Sequence, residues 1–331
     1  MYKLVYIERV NKNIHMLSQL HSTAVLLESP GELRLKRLLL DEPTDADVVV
    51  QIEWSGISTG TEKMLWNGTM PDFPGMGYPL VPGYESVGRV TRAGKNSKLD
   101  LHQRVFVPGA KCFGDVKGLF GGAASHVVVP GDRVVALPEA IGEEGVLLAL
   151  AATAYHVTQG KKALQPDLIV GHGVLGRLIA RIAVLLGHKP VVWEIDTDRM
   201  GGAEGYTVLH PCDDQENKYK NICDASGQVS VLNKLISQLQ FGGEITLAGF
   251  YDKDIQFNFP KAFMKEAKFR IAAQWAPQDL LDIKQLIAHG KLSLSGLITH
   301  HRKPSSIDEV YRTAFEDPSC LKMVVDWREA L

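Results

Sequence analysis

Cysteine is scarce in this chain of 331 residues, and poorly spaced for joint work. Cys112, Cys212, Cys223 and Cys320 include no Cys-x-x-Cys pair. Zinc ribbons and disulfide frameworks are therefore excluded, and a reducing, cytoplasmic compartment is the simple expectation. Long apolar runs are missing too; none approaches the roughly 20 residues needed to span a membrane. Neither sign of charge is in excess, with 36 Lys and Arg against 38 Asp and Glu and a formal net charge of −2. No basic cluster runs far enough to suggest a nucleic-acid partner. The first 21 residues lack the pattern of a secretory leader. Their apolar pieces are broken by Glu8, Arg9 and Lys12, and no small-residue cleavage site follows. Residues 1–21 are expected to be an extension ahead of the fold.

What is present divides into two textures. Over residues 22–140, short alternating apolar runs are separated by Gly and Pro. Val25, Leu27, Leu33 and Leu35 recur at period two around the Ser29-Pro30-Gly31 turn, and VVVQIEW (48–54), YESVGRVTR (84–92), RVFV (104–107) and AASHVVVPGDRVVAL (123–137) follow. This pattern predicts a β-rich, barrel-like lobe. From about 143 the chain changes. EEGVLLALAATAYHVTQG has helical periodicity. After it strand-like and helix-like segments alternate, from DLIVG (167–171) to GEITLAGFY (243–251), as in a doubly wound parallel sheet. FRIAAQW (269–275) reads as a late apolar strand, and an exposed apolar edge tends to be paired, which suggests a homodimer. The last stretch, from QDLLDIKQLIAHGKL to CLKMVVDW, is expected to return to the β lobe. The division expected is thus 22–142 with 278–331 as one domain and 143–277 as the other.

The second domain carries Gly171-x-Gly173-x-x-Gly176 between a buried strand and a helix, and Glu194 closes the next strand. The parts fit dinucleotide binding. Gly171 permits the tight turn, Gly173 lets the backbone approach a pyrophosphate, and Gly176 allows close helix–strand packing. The helix N-terminus offers N–H groups and a positive dipole end to the phosphates. Glu194 can accept from ribose hydroxyls and would repel a 2′-phosphate, so NAD is expected over NADP; Arg199 nearby pulls the other way. Val174, Leu175, Ser226, Gly249 and Phe250 are the other residues expected at the cofactor.

The order of these parts resembles the medium-chain dehydrogenase/reductase superfamily over about residues 23–331. The landmarks are Gly56-Ile57-Ser58-Thr59-Gly60-Thr61-Glu62, Gly83-Tyr84-Glu85, the glycine fingerprint and Gly242-Gly243. The resemblance implies a GroES-like catalytic domain joined to a Rossmann domain, an α/β architecture, and a dimer. In zinc members the metal is held by a Cys in G-I-C-G-T-D, the His of G-H-E and a Cys ahead of the nucleotide domain. The matching places are Thr59 (or Ser58), Tyr84 and about Ala149, none a thiolate or an imidazole, so no resident metal is expected. Blocks such as SGISTGTEKMLWNGTMPDFPGMGYPLVPGYESVGRV and FVPGAKCFGDVKGLFGGAASHVVVP are similar to one branch, the dehydrogenases of bacteriochlorophyll synthesis. That similarity implies NAD-dependent oxidation of the 1-hydroxyethyl group of a bacteriochlorophyllide or chlorophyllide to acetyl.

On this resemblance Tyr84 is expected to meet the substrate hydroxyl, Thr61 to relay its proton and Glu85 to give electrostatic support, with Ser58 and Thr59 completing a polar pocket. Tyr84 acts as a base only where its phenol is acidified. Each assignment has a plainer alternative. Tyr84 can be packing, and Thr61 can cap a helix. His156 can be a base or a satisfied core residue. His172 can face the cofactor or solvent. His300 and His301, adjacent on a strand, point to opposite faces. Trp54, Trp66, Met70 and Phe73 can wall a flat macrocycle or fill the core. Two other functions stay open at this level: a zinc-free quinone or enoyl reductase, and a non-catalytic NAD- or pigment-binding protein.

Overall fold

A computed structural model describes residues 19–72, 74–159, 163–216, 218–272 and 274–329. Phe73 and residues 1–18 lie outside the described residues. The strand His21–Ser29 already begins at 21, and Leu20 accepts a backbone hydrogen bond from Leu40, so the fold starts slightly earlier than the extension drawn at 1–21.

The β lobe holds two sheets. The four-stranded one runs Glu32–Leu39, His21–Ser29, Leu80–Val81, Lys117–Gly118. The seven-stranded one is organised by Asp47–Ile57, which pairs antiparallel with Ser86–Ala93, His126–Pro130 and Met323–Asp326. That strand, DVVVQIEWSGI, buries eight of its eleven residues and leaves Asp47, Gln51 and Glu53 half-buried. Val48, Val50, Ile52 and Ile57 are buried, each worth about 1.5–3 kcal/mol relative to exposure. Met323–Asp326 lies opposite Ile57–Trp54 and so brings the C-terminal segment against the start of the site.

The second sheet is parallel and six-stranded, in the order Thr207–Leu209, Val191–Trp193, Leu168–Val170, Tyr219–Asp224, Leu239–Leu247, Lys268–Ile271. The chain order reverses beside Leu168–Val170, the switch point where open α/β sheets take their ligands. Two helices, Leu148–Gln159 and Val174–Leu185, pack together on one face. Four alanines of the first (Ala149, Ala151, Ala152, Ala154) are fully buried, and small side chains let the backbones approach.

Three features depart from the expectation. The last strand ends at Ile271, so Trp275 is not part of it. The helix Pro277–Ala288 buries Leu280 and Ile283 in the same core as Ala151 and Leu178, and the chain rejoins the β lobe only at His300–Arg302, later than 278. Between Val191–Trp193 and Thr207–Leu209 there is no α-helix, only the short 3-10 turn Thr197–Arg199.

Candidate active site

Ser58 follows the central strand directly, and Gly60 caps the helix Thr61–Asn67 with no side-chain cap. Thr61 is the first residue of that helix, so its hydroxyl is not used as a cap. Tyr84 follows Gly83, whose φ of +98° and whose approach to Ala123 N, 2.7 Å from an added Cβ, admit only glycine. The turn swings the Tyr84 ring toward the helix start, where its hydroxyl and Ser58 Oγ hydrogen-bond at 2.8 Å. The Thr61 hydroxyl also hydrogen-bonds to the phenol. Three of the five expected catalytic residues therefore meet. Thr59 does not join them; it is exposed. Of the two residues that could match the lost cysteine, Ser58 is the one at Tyr84.

Tyr84 does not acquire the acidity of a base. Burial and the nearby Glu85 carboxylate raise its phenol well above the usual range, and the hydrogen bonds to Ser58 and Thr61 only partly oppose them. The group is a protonated hydroxyl between two others, suited to passing a proton along rather than holding it.

Glu85 is fully buried, and its partner was not foreseen. Lys322 Nζ lies 2.7 Å from Glu85 Oε2 and 3.0 Å from the Ile57 carbonyl, and is itself 2% exposed. Gly56 makes room for the pair, since a Cβ there would lie 2.4 Å from Glu85 Oε2. Glu62 was also missed as a site residue. It accepts from Ser58 N at 3.1 Å and from Tyr311 Oη at 2.9 Å. Burial raises its pKa to about 7, with the Glu85 charge adding to the shift. Glu62 thus holds the backbone that presents Ser58 to Tyr84. The signals were a lysine directly before the strand Met323–Asp326, within CLKMVVDW, and an acid in the first turn of a helix.

At the other lobe the three fingerprint glycines differ in their surroundings. Gly171 has φ +97°. A Cβ on Gly176 would lie 1.9 Å from the Gly171 carbonyl, and a Cβ on Gly173 would meet nothing within 4 Å. Gly173 caps the helix Val174–Leu185 with no side-chain cap, so the first N–H groups of that helix have no partner within it. Val174 is buried in the core, and Leu175 is half-buried.

Glu194 sits where the sequence placed it, one residue beyond Val191–Trp193, but its carboxylate is busy. Oε1 accepts from Ile195 N at 2.7 Å and Asp196 N at 3.0 Å, and Oε2 accepts from His172 N at 2.9 Å. A carboxylate has about four acceptor directions, so one remains for a ribose hydroxyl. Arg199 turns away, its Nε bonding the Pro318 carbonyl at 3.0 Å. His172 does not face solvent. It is fully buried between the Arg199 carbonyl (2.7 Å) and Tyr206 Oη (2.8 Å), and burial lowers its pKa to about 4. It staples the helix-free crossover onto the fingerprint turn.

Ser226 bonds Asp224 through both N (2.9 Å) and Oγ (2.6 Å), and Tyr251 Oη reaches the other Asp224 oxygen at 2.7 Å. Gly249 lies against Gly227, and Phe250 is 47% exposed beside it. These residues line the switch-point end of the sheet. His156 pairs with Asp279 at 2.8 Å, not with Tyr84. His301 bonds Glu143 at 3.0 Å while His300 faces Asp317, so the two diverge. Trp54 is core, with the Arg104 and Arg328 guanidinium groups over its ring. Trp66 and Met70 pack against the β-lobe core. None of the three forms an open wall. Among the described residues no group of three or more His, Cys, Asp or Glu is placed to hold a metal ion, and no helix is long and apolar enough to cross a membrane.

Residues 44–139 match the alcohol dehydrogenase GroES-like domain. The fold is similar to that of an Escherichia coli CFT073 alcohol dehydrogenase solved with NADH (TM-score 0.78, 19% identity, 92% of this chain and 99% of that one). It is similar as well to a Sinorhizobium meliloti 1021 dehydrogenase bound to NADP (TM-score 0.76, 18% identity, 93% and 100%). In sequence, the chain is 51% identical over 315 residues to 2-desacetyl-2-hydroxyethyl bacteriochlorophyllide A dehydrogenase of Cereibacter sphaeroides, covering 93% of this chain and 99% of that protein. A nucleotide fingerprint at the switch point and identity of that extent agree: the chain belongs to the medium-chain dehydrogenase/reductase superfamily, in the family of the 2-desacetyl-2-hydroxyethyl bacteriochlorophyllide A dehydrogenases.

Proposed function

We propose that this chain oxidises the 1-hydroxyethyl group of a bacteriochlorophyllide or chlorophyllide to acetyl, with NAD and without a metal of its own. The observation that carries the reading is 51% identity over 93% of the chain to an enzyme named for that substrate, joined to the Tyr84, Ser58 and Thr61 hydroxyls. A bound nicotinamide supplies the hydride acceptor. Tyr84 binds the carbinol oxygen, and the proton leaves through Tyr84 toward Ser58 and Thr61, with the half-exposed Thr61 passing its own proton to water. Glu62 fixes Ser58, while Lys322 keeps Glu85 compensated behind the ring. Hydroxyl donors at the ligand positions are a poor zinc set. The test is a cofactor-reduction assay with hydroxyethyl-chlorophyllide, NAD and NADP side by side, on protein analysed for metal. Turnover with NAD, no stoichiometric zinc beyond the macrocycle's own metal, and indifference to chelators are expected. Failure to oxidise any hydroxyethyl chlorin would overturn the reading.

NAD preference rests on the one open acceptor of Glu194 and on Arg199 being turned toward Pro318. Glu194→Ala should weaken NAD binding and narrow the discrimination against NADP in paired titrations. An enzyme that prefers NADP from the outset would count against it.

We further propose a homodimer through the Lys268–Ile271 edge. Ile271 is 76% exposed on that outermost strand, and Phe257, Phe259, Phe263, Met264 and Phe269 line an adjoining hollow of about 500 Å³. Light scattering should give a dimer mass, and Ile271→Asp should shift it toward monomer. A monomer from the parent protein at micromolar concentration would sink this.

A further inference from the structure

Tyr84 is flanked by two rings that no expectation placed there. Phe120 meets it edge-on, with centroids 5.4 Å apart and planes at 84°. Trp275 lies beside it as well, at 6.4 Å and 33°. The two come from different lobes. Phe120 packs on the β-lobe core, while Trp275 and Tyr84 pack on the core shared with the nucleotide domain. All three rings are half-buried, so each keeps a face or an edge outside the core.

The Trp275 position is held. The next residue, Ala276, donates its N–H to Asp279 Oδ2 at 2.7 Å, and His156 Nδ1 pairs with the same oxygen at 2.8 Å. Asp279 is in the first turn of Pro277–Ala288, and His156 is on Leu148–Gln159. The histidine that looked like a spare base instead anchors the helix start that presents Trp275. On the other side the Phe120 carbonyl is fixed by Ala110 N at 2.8 Å, and Gly109 is required beside it, since a Cβ there would lie 2.3 Å from that oxygen.

The geometry points to Trp275 and Phe120 as an aromatic clamp that selects a flat, conjugated macrocycle and sets its hydroxyethyl arm at Tyr84. The inference rests on the functional reading above. Wide apolar π-faces gain most from offset or edge-on ring contacts. A small aliphatic alcohol has no face to offer, so these rings reward a ring system many atoms across. Because they belong to opposite lobes, the clamp is complete only when both lobes hold their places around the substrate.

The test is steady-state kinetics of Trp275→Ala, Trp275→Phe and Phe120→Ala with hydroxyethyl-chlorophyllide, alongside NADH binding followed by fluorescence. Trp275→Ala should raise KM about tenfold or more, the scale of losing one base-on-aromatic stack. Its kcat should change little and its NADH affinity not at all, and Trp275→Phe should restore most of the loss. Phe120→Ala should act in the same sense. A loss confined to kcat, or one shared with NADH binding, would mean that the rings only support the fold, and would overturn the clamp. Variants that match the parent KM would also overturn it. A parent enzyme that does not oxidise the macrocycle would instead overturn the functional reading.

Discussion

Tyr84→Phe should lower kcat by about 10²-fold, toward the lower end of the range for a group that moves a proton in the transition state. NADH affinity should be unchanged, because the fingerprint turn lies on the other sheet and has no contact with the phenol. The substitution removes one oxygen and leaves the ring, so the contacts to Phe120 and Trp275 persist. The lower end is expected for a physical reason. Burial and Glu85 push the phenol proton affinity up, so Tyr84 does not stand ready as a phenolate. It works by taking the carbinol proton while giving its own to a neighbouring hydroxyl, which passes its proton on to solvent. Single-turnover measurements of hydride transfer check this, since they exclude product release.

A loss of only about tenfold would say that the hydroxyl orients the alcohol and no more, near one hydrogen bond of about 1 kcal/mol. A variant at full rate would remove Tyr84 from the mechanism. Suspicion would then fall on Thr61 and Ser58, which hydrogen-bond to the same position. It would not fall on His156, whose ring is committed to Asp279.

The parts of this fold with a strong local signature could be found in the sequence. The glycine fingerprint is one, because a positive φ at Gly171 and a backbone contact at Gly176 leave no other residue possible. Tyr84 is another, because its place in Gly-Tyr-Glu is fixed by the Gly83 turn. What stayed hidden was long-range. Lys322 reaches Glu85 across 237 positions, and Tyr311 reaches Glu62 across 249, through pairings no window along the chain can display. Trp275 was misplaced because an apolar run signals a strand equally well when its last residues leave the sheet. Glu194 was put in the right place with the wrong company. Its identity could be read off the strand end, but the three backbone N–H groups that claim it, two from the residues just after it and one from the fingerprint turn, leave no mark in the sequence. His172 misled in the same way, since a histidine inside a ligand motif carries no mark of whether its ring faces in or out.

Lys322→Met should destabilise the protein by about 3–5 kcal/mol, the usual result of removing one partner from a buried ion pair. The side chains are of similar length, so packing is largely kept and the charge is what is lost. Among the described residues the lysine Nζ is the one cation in hydrogen-bond contact with Glu85, whose other oxygen, Oε1, is buried with no hydrogen-bond partner among them. Taking the lysine away strands a carboxylate in the core beside a second acid, Glu62. The deficit should also depend on pH. Burial already raises the Glu62 pKa to about 7 from 4.5, and Lys322 is among the groups that pull it down. Without Lys322 that carboxyl titrates higher still. A group whose folded pKa exceeds its unfolded one binds more protons folded, so its stabilisation is full below the unfolded value and is lost as pH rises through the folded one. Denaturant melts should therefore show a larger deficit at about pH 8 than at about pH 5. Glu85→Gln in the same chain should recover part of the loss, because it removes the stranded charge rather than the contact. Equal deficits at both pH values, with no recovery in the double variant, would mean that Lys322 acts by packing alone.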